Sequence, residues 1–310
     1  MAPFATERRG VVVNAAIELR AEAELHVGGD RYRLEAKDLG QVVAADRAVM
    51  DQRDGRLDLL KAAVRIHRLP PCRLTTRSAA PLGSGLGSSG AMDVALVAAC
   101  ARAVNQPLTP LALAERAWEL EAVEAALPGG KQDQYAAALG GFHRLAFSAA
   151  GVTVHPLAIG PAFVDWLARH IVVCYTGQSR VSSATIGRVM ARFVDRDAGV
   201  VAALEGLAEL GMRMAEALEA GDERVVGDLL SANWQLQQRL DPGMQTPVMA
   251  RLEQAMTDCG SLGGKAAGAG AGGTMFFVIG GNPARAARAA TEQGSTVLPL
   301  RWASEGVRVW

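Results

Sequence analysis

The sequence has no surplus of charge of either sign: Lys and Arg together number 32, as do Asp and Glu, over 310 residues. A nucleic-acid binder normally carries a basic excess, so that class is not expected, although a local basic pocket for a phosphorylated small molecule is compatible with the balance. No apolar run approaches the ~18 residues of a membrane span. The richest stretch, Met92–Val104, is interrupted by Asp93 and Arg102. The opening MAPFATERRG lacks the apolar h-region of a secretory signal. Cysteine is scarce: Cys72, Cys100, Cys174 and Cys259 lie far apart with no CxxC spacing. In a chain expected to be cytoplasmic, all four read as buried small hydrophobes and not as disulfides. There is no internal repeat and no low-complexity linker. What remains is 50% hydrophobic and 21% charged, which excludes disordered and fibrous classes. The length suggests two domains, each able to bury a sizeable core.

The first third reads as strands. Val11–Val13, Ala21–Val27 and Tyr32–Ala36 are short and alternating or β-branched, with Gly28-Gly29-Asp30 as a hairpin-type turn between the last two. Helical spacing follows over Leu57–His67 and stops at Pro70-Pro71, after which Cys72–Ser78 reads as a strand. A glycine-rich loop, Pro81–Gly90, leads into a helix over Ala91–Val104, and a second helix is expected over Leu111–Ala126. Ile171–Tyr175 reads as a buried strand, Ser183–Val194 and Ala198–Ala220 as helices, and Gly263–Gly273 as a second glycine-rich stretch before a strand at Met275–Ile279. The order is α+β in two lobes, with the softest boundary at Ala158–Val164, giving expected domains 1–160 and 161–310.

PLGSGLGSSG (Pro81–Gly90) lies between a strand and a helix. Glycines allow backbone N–H groups to converge, and the helix N-terminus adds partial positive charge, so the loop suits a phosphate chain better than a plain structural turn. Gly85–Gly90 also satisfies G-x-G-x-x-G, but the acidic residue wanted ~20 positions later at a second strand is missing, so a dinucleotide-binding oxidoreductase is a distant alternative. Gly268–Gly273 matches too, yet precedes a strand. A Walker A loop fails because neither Lys131 nor Lys265 is followed by Ser or Thr.

These residues resemble the GHMP kinases. PLGSGLGSSG is similar to their second motif, P-x-x-x-G-L-G-S-S-A, and Lys265–Gly273 (KAAGAGAGG) resembles their third, near the C-terminus before a strand. Gly130–Gly141 (GKQDQYAAALGG) and Thr176–Arg180 (TGQSR) resemble segments of the D-glycero-D-manno-heptose 7-phosphate kinases. The family's first motif has no counterpart, and the chain joins the pattern only at Gly10–Asn14 (GVVVN). Three accounts of that gap stay open: a start upstream of Met1, replacement of the motif's basic group by Arg8, Arg9 or Lys131, or loss of catalysis with nucleotide binding retained.

The resemblance implies a two-lobed fold, with an N-terminal lobe like the second domain of ribosomal protein S5, a ferredoxin-like C-terminal lobe and the active site in the cleft between them. It implies ATP and Mg²⁺ as cofactors, with Pro81, Gly83, Ser84, Gly85, Leu86, Gly87, Ser88 and Ser89 around the nucleotide phosphates. Ser89 and Glu121 are the expected Mg²⁺ ligands, since a hard cation accepts one hydroxyl, one carboxylate and waters. Glu115, Glu119 and Glu124 share the Glu121 helix, where a charged face is otherwise simply solvated. Asp133 is the expected acceptor of the attacking hydroxyl's proton, with Lys131 as the cation keeping it ionised; a helix N-cap at Tyr135–Leu139 is its structural alternative. Gln132, Gly140, Gly141, Gly268, Gly270 and Gly272 are expected near substrate. Arg180 is either a sugar-phosphate contact or a surface arginine. The implied reaction is phosphorylation of the anomeric hydroxyl of a heptose 7-phosphate or a related sugar or cyclitol, in a cytoplasmic protein with no nucleic-acid or membrane partner; a homodimer is compatible with it. A kinase for another small alcohol and a catalytically silent sugar- or nucleotide-binding protein are the alternatives.

Overall fold

The computed structural model describes residues 2–127, 129–178 and 182–310. The chain divides into two compact units that are not separated by a single cut. One holds Met1–Ala15, Gly83–Leu86 and Phe142–Trp302; the other holds Ala16–Leu82, Gly87–Gly141 and Ala303–Trp310. A boundary at 160 does not describe this arrangement, because the first strand and the C-terminal tail each pair with distant sequence.

In the unit that contains the chain's beginning, α1 (Ala2–Arg8) precedes β1 (Gly10–Ala15). β1 pairs antiparallel with β6 (Phe142–Ser148), and β6 with β7 (Gly151–Pro156), a three-stranded sheet in the order β1-β6-β7. A second sheet has the order β11-β8-β10-β9, from β8 (Ile171–Tyr175), β9 (Ser261–Ala266), β10 (Thr274–Ile279) and β11 (Thr296–Leu298). All its pairs are antiparallel. Among the described residues six further α-helices accompany these sheets: α7 (Pro161–His170), α8 (Ser182–Val194), α9 (Ala198–Ala220), α10 (Glu223–Leu240), α11 (Pro247–Asp258) and α12 (Pro283–Glu292). Trp234, Phe193, Met256 and Phe277 are buried in one of its cores. α7 begins inside Ala158–Val164, so that stretch opens a helix and is not a linker.

In the other unit a mixed sheet has the order β2-β5-β3-β4, formed by β2 (Ala21–Val27), β3 (Tyr32–Ala36), β4 (Gln41–Ala45) and β5 (Cys72–Ser78). The expected β2–β3 hairpin does not form. β5 lies between the two, antiparallel to β2 (Ala21 opposite Ser78) and parallel to β3 (Arg33 opposite Arg73). Buried Cys72, Leu74, Thr75 and Thr76 suit a central strand, with α3 (Asp58–Ile66) on the return path to it. α4 (Ser88–Ala103) is the central helix: Met92, Val94, Leu96, Val97, Ala98, Cys100 and Ala101 are buried, and a helix apolar on nearly every side belongs inside a core. α5 (Pro110–Glu119) does not continue to Ala126 as expected, but widens into a π-helical turn over Leu120–Glu124. α6 (Gln132–Leu139) follows.

Among the described residues no helix is long and apolar enough to cross a membrane. The four cysteines are free; Cys72, Cys100 and Cys174 are buried as expected, and Cys259 is half-buried.

Candidate active site

α4 is fixed along its length by burial, so its first turn is a rigid platform. The preceding residue, Gly87, is left-handed (φ 74°) and places no capping side chain over the helix. The amides of that turn are therefore left for an anion, favoured by the helix dipole. From this turn Ser89, which is exposed, donates its hydroxyl to Glu121 Oε1 at 2.7 Å. Glu121 itself is buried on the π-helical turn. π-helical turns recur at functional sites because the extra residue redirects side chains. Here Leu120 and Glu121 are buried while Val123 is exposed, so of the four candidate glutamates it is Glu121 that faces Ser89.

Asp133 lies in the first turn of α6, inside the helix and not at its N-cap, which is Lys131. The bland capping role therefore falls away. Its carboxyl reaches solvent, yet protein surrounds it closely: a Cβ on Gly90 would stand 2.7 Å from Asp133 Cβ, and one on Gly87 would stand 3.2 Å from its carboxyl carbon. Desolvation, and then the nearby charge of Glu121, raise its carboxyl from 3.8 to about 6. A carboxylate with that value is matched to proton removal near neutral pH.

Behind Glu121 the structure adds residues that sequence reasoning missed. Gln134 Nε2 donates to Glu121 Oε2 at 2.8 Å and to Asp93 Oδ2 at 3.1 Å. Asp93 is fully buried, and burial together with the Glu121 charge pushes its carboxyl well above the ordinary value, against the Gln134 hydrogen bond. The signal in the sequence was a lone acid within the most apolar run of the chain.

Lys131 does not serve Asp133. Its ammonium binds Glu115 Oε2 at 2.7 Å and lies 4.1 Å from the centre of the Trp118 ring. Burial pushes the Glu115 carboxyl up, but hydrogen bonds from Lys131 and Tyr135 hold it below its ordinary value. A cation committed to a carboxylate and an aromatic face supports α5 and α6 and leaves Asp133 to be tuned by burial. Lys131→Met is accordingly expected to lower Tm by a few degrees, with the acidic midpoint of the pH–rate profile staying at the wild-type value. Thermal melts and a kcat/KM profile check both.

Several glycines expected near substrate pack closely on backbone. Gly141 donates its N–H to Ala303 O at 2.7 Å, and a Cβ on Gly140 would overlap the backbone of Glu305 and Gly306. In the other unit, the third-motif loop packs on Gly83–Leu86: Thr274 N donates to Ser84 O at 2.9 Å, and a Cβ on Gly268 would meet Gly85 O at 3.2 Å. A Cβ on Gly270 would meet Met244 O at 2.9 Å and one on Gly272 would meet Gln178 O at 2.6 Å. The amides of Ala271 and Gly273 are already donated to Met244 O and Gln178 O, both at 2.6 Å. This loop packs closely on protein carbonyls. Ser84 is fully buried and its hydroxyl makes no hydrogen bond, while Gly85 and Ser89 are exposed and Pro81, Gly83, Leu86, Gly87 and Ser88 half-buried. Gln132 is half-buried, with Oε1 against Gly130. Arg8 lies 3.8 Å from Glu205. Arg180 lies outside the described residues.

Among the described residues no cluster of three or more His, Cys, Asp or Glu side chains is arranged as a metal cage. The donor pair Ser89–Glu121 nevertheless fits Mg²⁺, which takes hard oxygens and usually only one or two from protein.

Comparison with known proteins shows the family. Residues 56–141 match the GHMP kinases N terminal domain and residues 214–296 match the GHMP kinases C terminal domain. The first match contains Ser89, Glu121 and Asp133. The chain belongs to the GHMP kinases. It is 28% identical to D-glycero-alpha-D-manno-heptose 7-phosphate kinase of Campylobacter jejuni, over 97% of this chain and 91% of that protein. It is 26% identical to a mevalonate kinase of Thermococcus sibiricus, over 96% and 91% of the two chains. The crystal structure of a D-glycero-D-manno-heptose 1-phosphate kinase from Bacteroides thetaiotaomicron superposes with a TM-score of 0.77 at 25% identity, covering 100% of this chain and 94% of that one. The fold is therefore the α+β GHMP kinase fold, and the protein is a small-molecule kinase.

Proposed function

We propose that the protein transfers the γ-phosphoryl group of ATP to the anomeric hydroxyl of D-glycero-D-manno-heptose 7-phosphate, giving the 1,7-bisphosphate. The observation that carries the reading is Asp133, a solvent-reaching carboxyl raised to about 6 beside the Ser89–Glu121 pair at the first turn of α4. The Campylobacter relative, similar over nearly its whole length, supports the heptose phosphate as acceptor.

In this reading the uncapped amides of α4 and the glycine loop leading into it receive the nucleotide phosphates. Asp133 accepts the proton of the sugar hydroxyl as its oxygen bonds to the γ-phosphorus, the bond from that phosphorus to the β–γ bridging oxygen breaks, and ADP leaves. Ser89 and Glu121 would hold Mg²⁺, whose charge offsets that of the phosphates. Positioning and charge neutralisation account for the catalysis, with no covalent enzyme intermediate.

The test is ³¹P NMR of Mg·ATP turnover with heptose 7-phosphate, free hexoses, cyclitols and mevalonate as acceptors. An anomeric phosphate formed only on the heptose phosphate is the expected result. Transfer to mevalonate alone would move the reading to the isoprenoid branch, and ATP binding without transfer to any acceptor would make the chain a silent binder. Ser89→Ala and Glu121→Gln are each expected to raise the Mg²⁺ concentration for half-maximal rate about tenfold or more.

A further inference from the structure

Asp93 stands on α4 one turn beyond Ser89, fully buried in a helix otherwise lined by apolar and small side chains. An acid in that position is expensive unless it does something for its neighbours. Its Oδ2 takes one hydrogen bond from Gln134 Nε2 at 3.1 Å, and the same nitrogen donates at 2.8 Å to Glu121 Oε2. The other Glu121 oxygen receives Ser89. The other oxygen of Asp93, Oδ1, and the amide oxygen of Gln134, Oε1, are both buried and make no hydrogen bond. A rotated Gln134 amide would set its oxygen against the Glu121 carboxylate and turn attraction into repulsion.

We propose that Asp93 is a positioning residue of the kinase site: by accepting one proton of the Gln134 amide it fixes that amide so that its second proton orients Glu121 toward Ser89. The inference rests on the kinase reading, in which Ser89 and Glu121 hold the divalent cation. Burial and the neighbouring Glu121 charge push the Asp93 carboxyl well above its ordinary value, which disfavours three charges crowded together at Asp93, Glu121 and Asp133. Asparagine keeps an oxygen acceptor of the same shape without a charge; leucine keeps the volume and removes the acceptor.

The experiment measures Mn²⁺ affinity by EPR in the presence of a non-hydrolysable ATP analogue, beside kcat, KM for Mg·ATP and Tm. Asp93→Leu is expected to weaken Mn²⁺ binding about tenfold, the range of second-layer partners at metal sites, without a matching loss of Tm. Asp93→Asn is expected to restore binding to within about twofold. Gln134→Met cuts the same bridge from its other end, so it is expected to reproduce the loss, and the double variant to add little to either single change. Wild-type affinity in Asp93→Leu overturns the proposal, as does an Asp93→Asn protein as weak as Asp93→Leu. If Asp93→Leu does not fold, Gln134→Met decides, and wild-type affinity there overturns the proposal equally. Wild-type protein that binds no Mn²⁺ with the nucleotide analogue refutes the cation site itself; variants that leave intact wild-type binding unmoved refute only the role of Asp93.

Discussion

Asp133→Asn is expected to lose about 10³ in kcat and, at the same time, to melt at a higher temperature than the wild type at pH 7. Both effects have one cause. Crowding from Gly87 and Gly90 and the charge of Glu121 raise the Asp133 carboxyl from 3.8 to about 6. The folded protein thus holds a carboxylate that would rather be neutral. A raised carboxyl opposes folding only where it is ionised: stability is whole below the unfolded value of 3.8 and declines as the pH rises through about 6. At pH 7 the amide removes that penalty, worth at most about 1 kcal/mol because the group reaches solvent, or roughly 2 °C in Tm. Near pH 4 the gain vanishes. The wild-type kcat/KM is expected to fall tenfold per pH step below about 6, where Asp133 is protonated and cannot accept the sugar hydroxyl's proton. Melting curves of both proteins at pH 4 and 7, with single-turnover rates, separate this from a purely structural Asp133. A structural aspartate would give a variant that loses stability and keeps its rate.

The parts of the molecule that could be read from sequence are those set by local chemistry. β2, β3, β5, β8 and α9 occupy the residues expected, because alternation, β-branching and helical spacing act within a few residues. Ser89 and Asp133 were expected from family-like motifs and Glu121 from its spacing before Asp133; the structure joins Ser89 to Glu121 and places Asp133 where it feels the Glu121 charge. Pairing was not legible: β5 enters between β2 and β3, a choice made by burial far from the turn at Gly28-Gly29. The switch of α5 from α to π geometry also escaped, since Leu111–Ala126 keeps good helical periodicity through the change. Lys131 misled because nearness in sequence suggests nearness in space, whereas Glu115 and Trp118 on α5 hold its ammonium. Asp93 and Gln134 were visible only as oddities, an acid in an apolar run and an amide beside a better-known aspartate. Their meaning depends on a hydrogen bond between side chains 41 residues apart on two helices.

Gly140→Ala separates the two roles a glycine can have in this family's third of the chain, approach to substrate and approach to its own backbone. At φ 70° and ψ −170° the residue occupies a region essentially restricted to glycine. A Cβ there would overlap the carbonyl carbon of Glu305 and the nitrogen of Gly306, neither of which can move as a side chain could. The segment it would strike is tied down on both sides. Ala303 exchanges backbone hydrogen bonds with Gly141 and Ala16 at 2.7 and 2.9 Å, Val307 donates to Ala138 O at 3.3 Å, and Arg20 donates to the carbonyls of Gly306 and Glu305 at 2.9 and 3.2 Å. The C-terminal tail is therefore a strap on this unit, closed over the end of α6. Strain and overlap together are expected to cost about 3 kcal/mol or more, lowering Tm by about 5 °C or more, while the molecules that remain folded keep the wild-type KM for the sugar. Arg20→Ala should act in the same direction more weakly, since it removes two hydrogen bonds without adding a clash. A glycine placed for the sugar would give the opposite pattern, a raised KM with an unchanged Tm. Because α6 carries Asp133 seven residues before Gly140, loosening the strap is also expected to lower kcat in proportion to the loss of fold and no further, which active-site titration against Tm across the two variants would reveal.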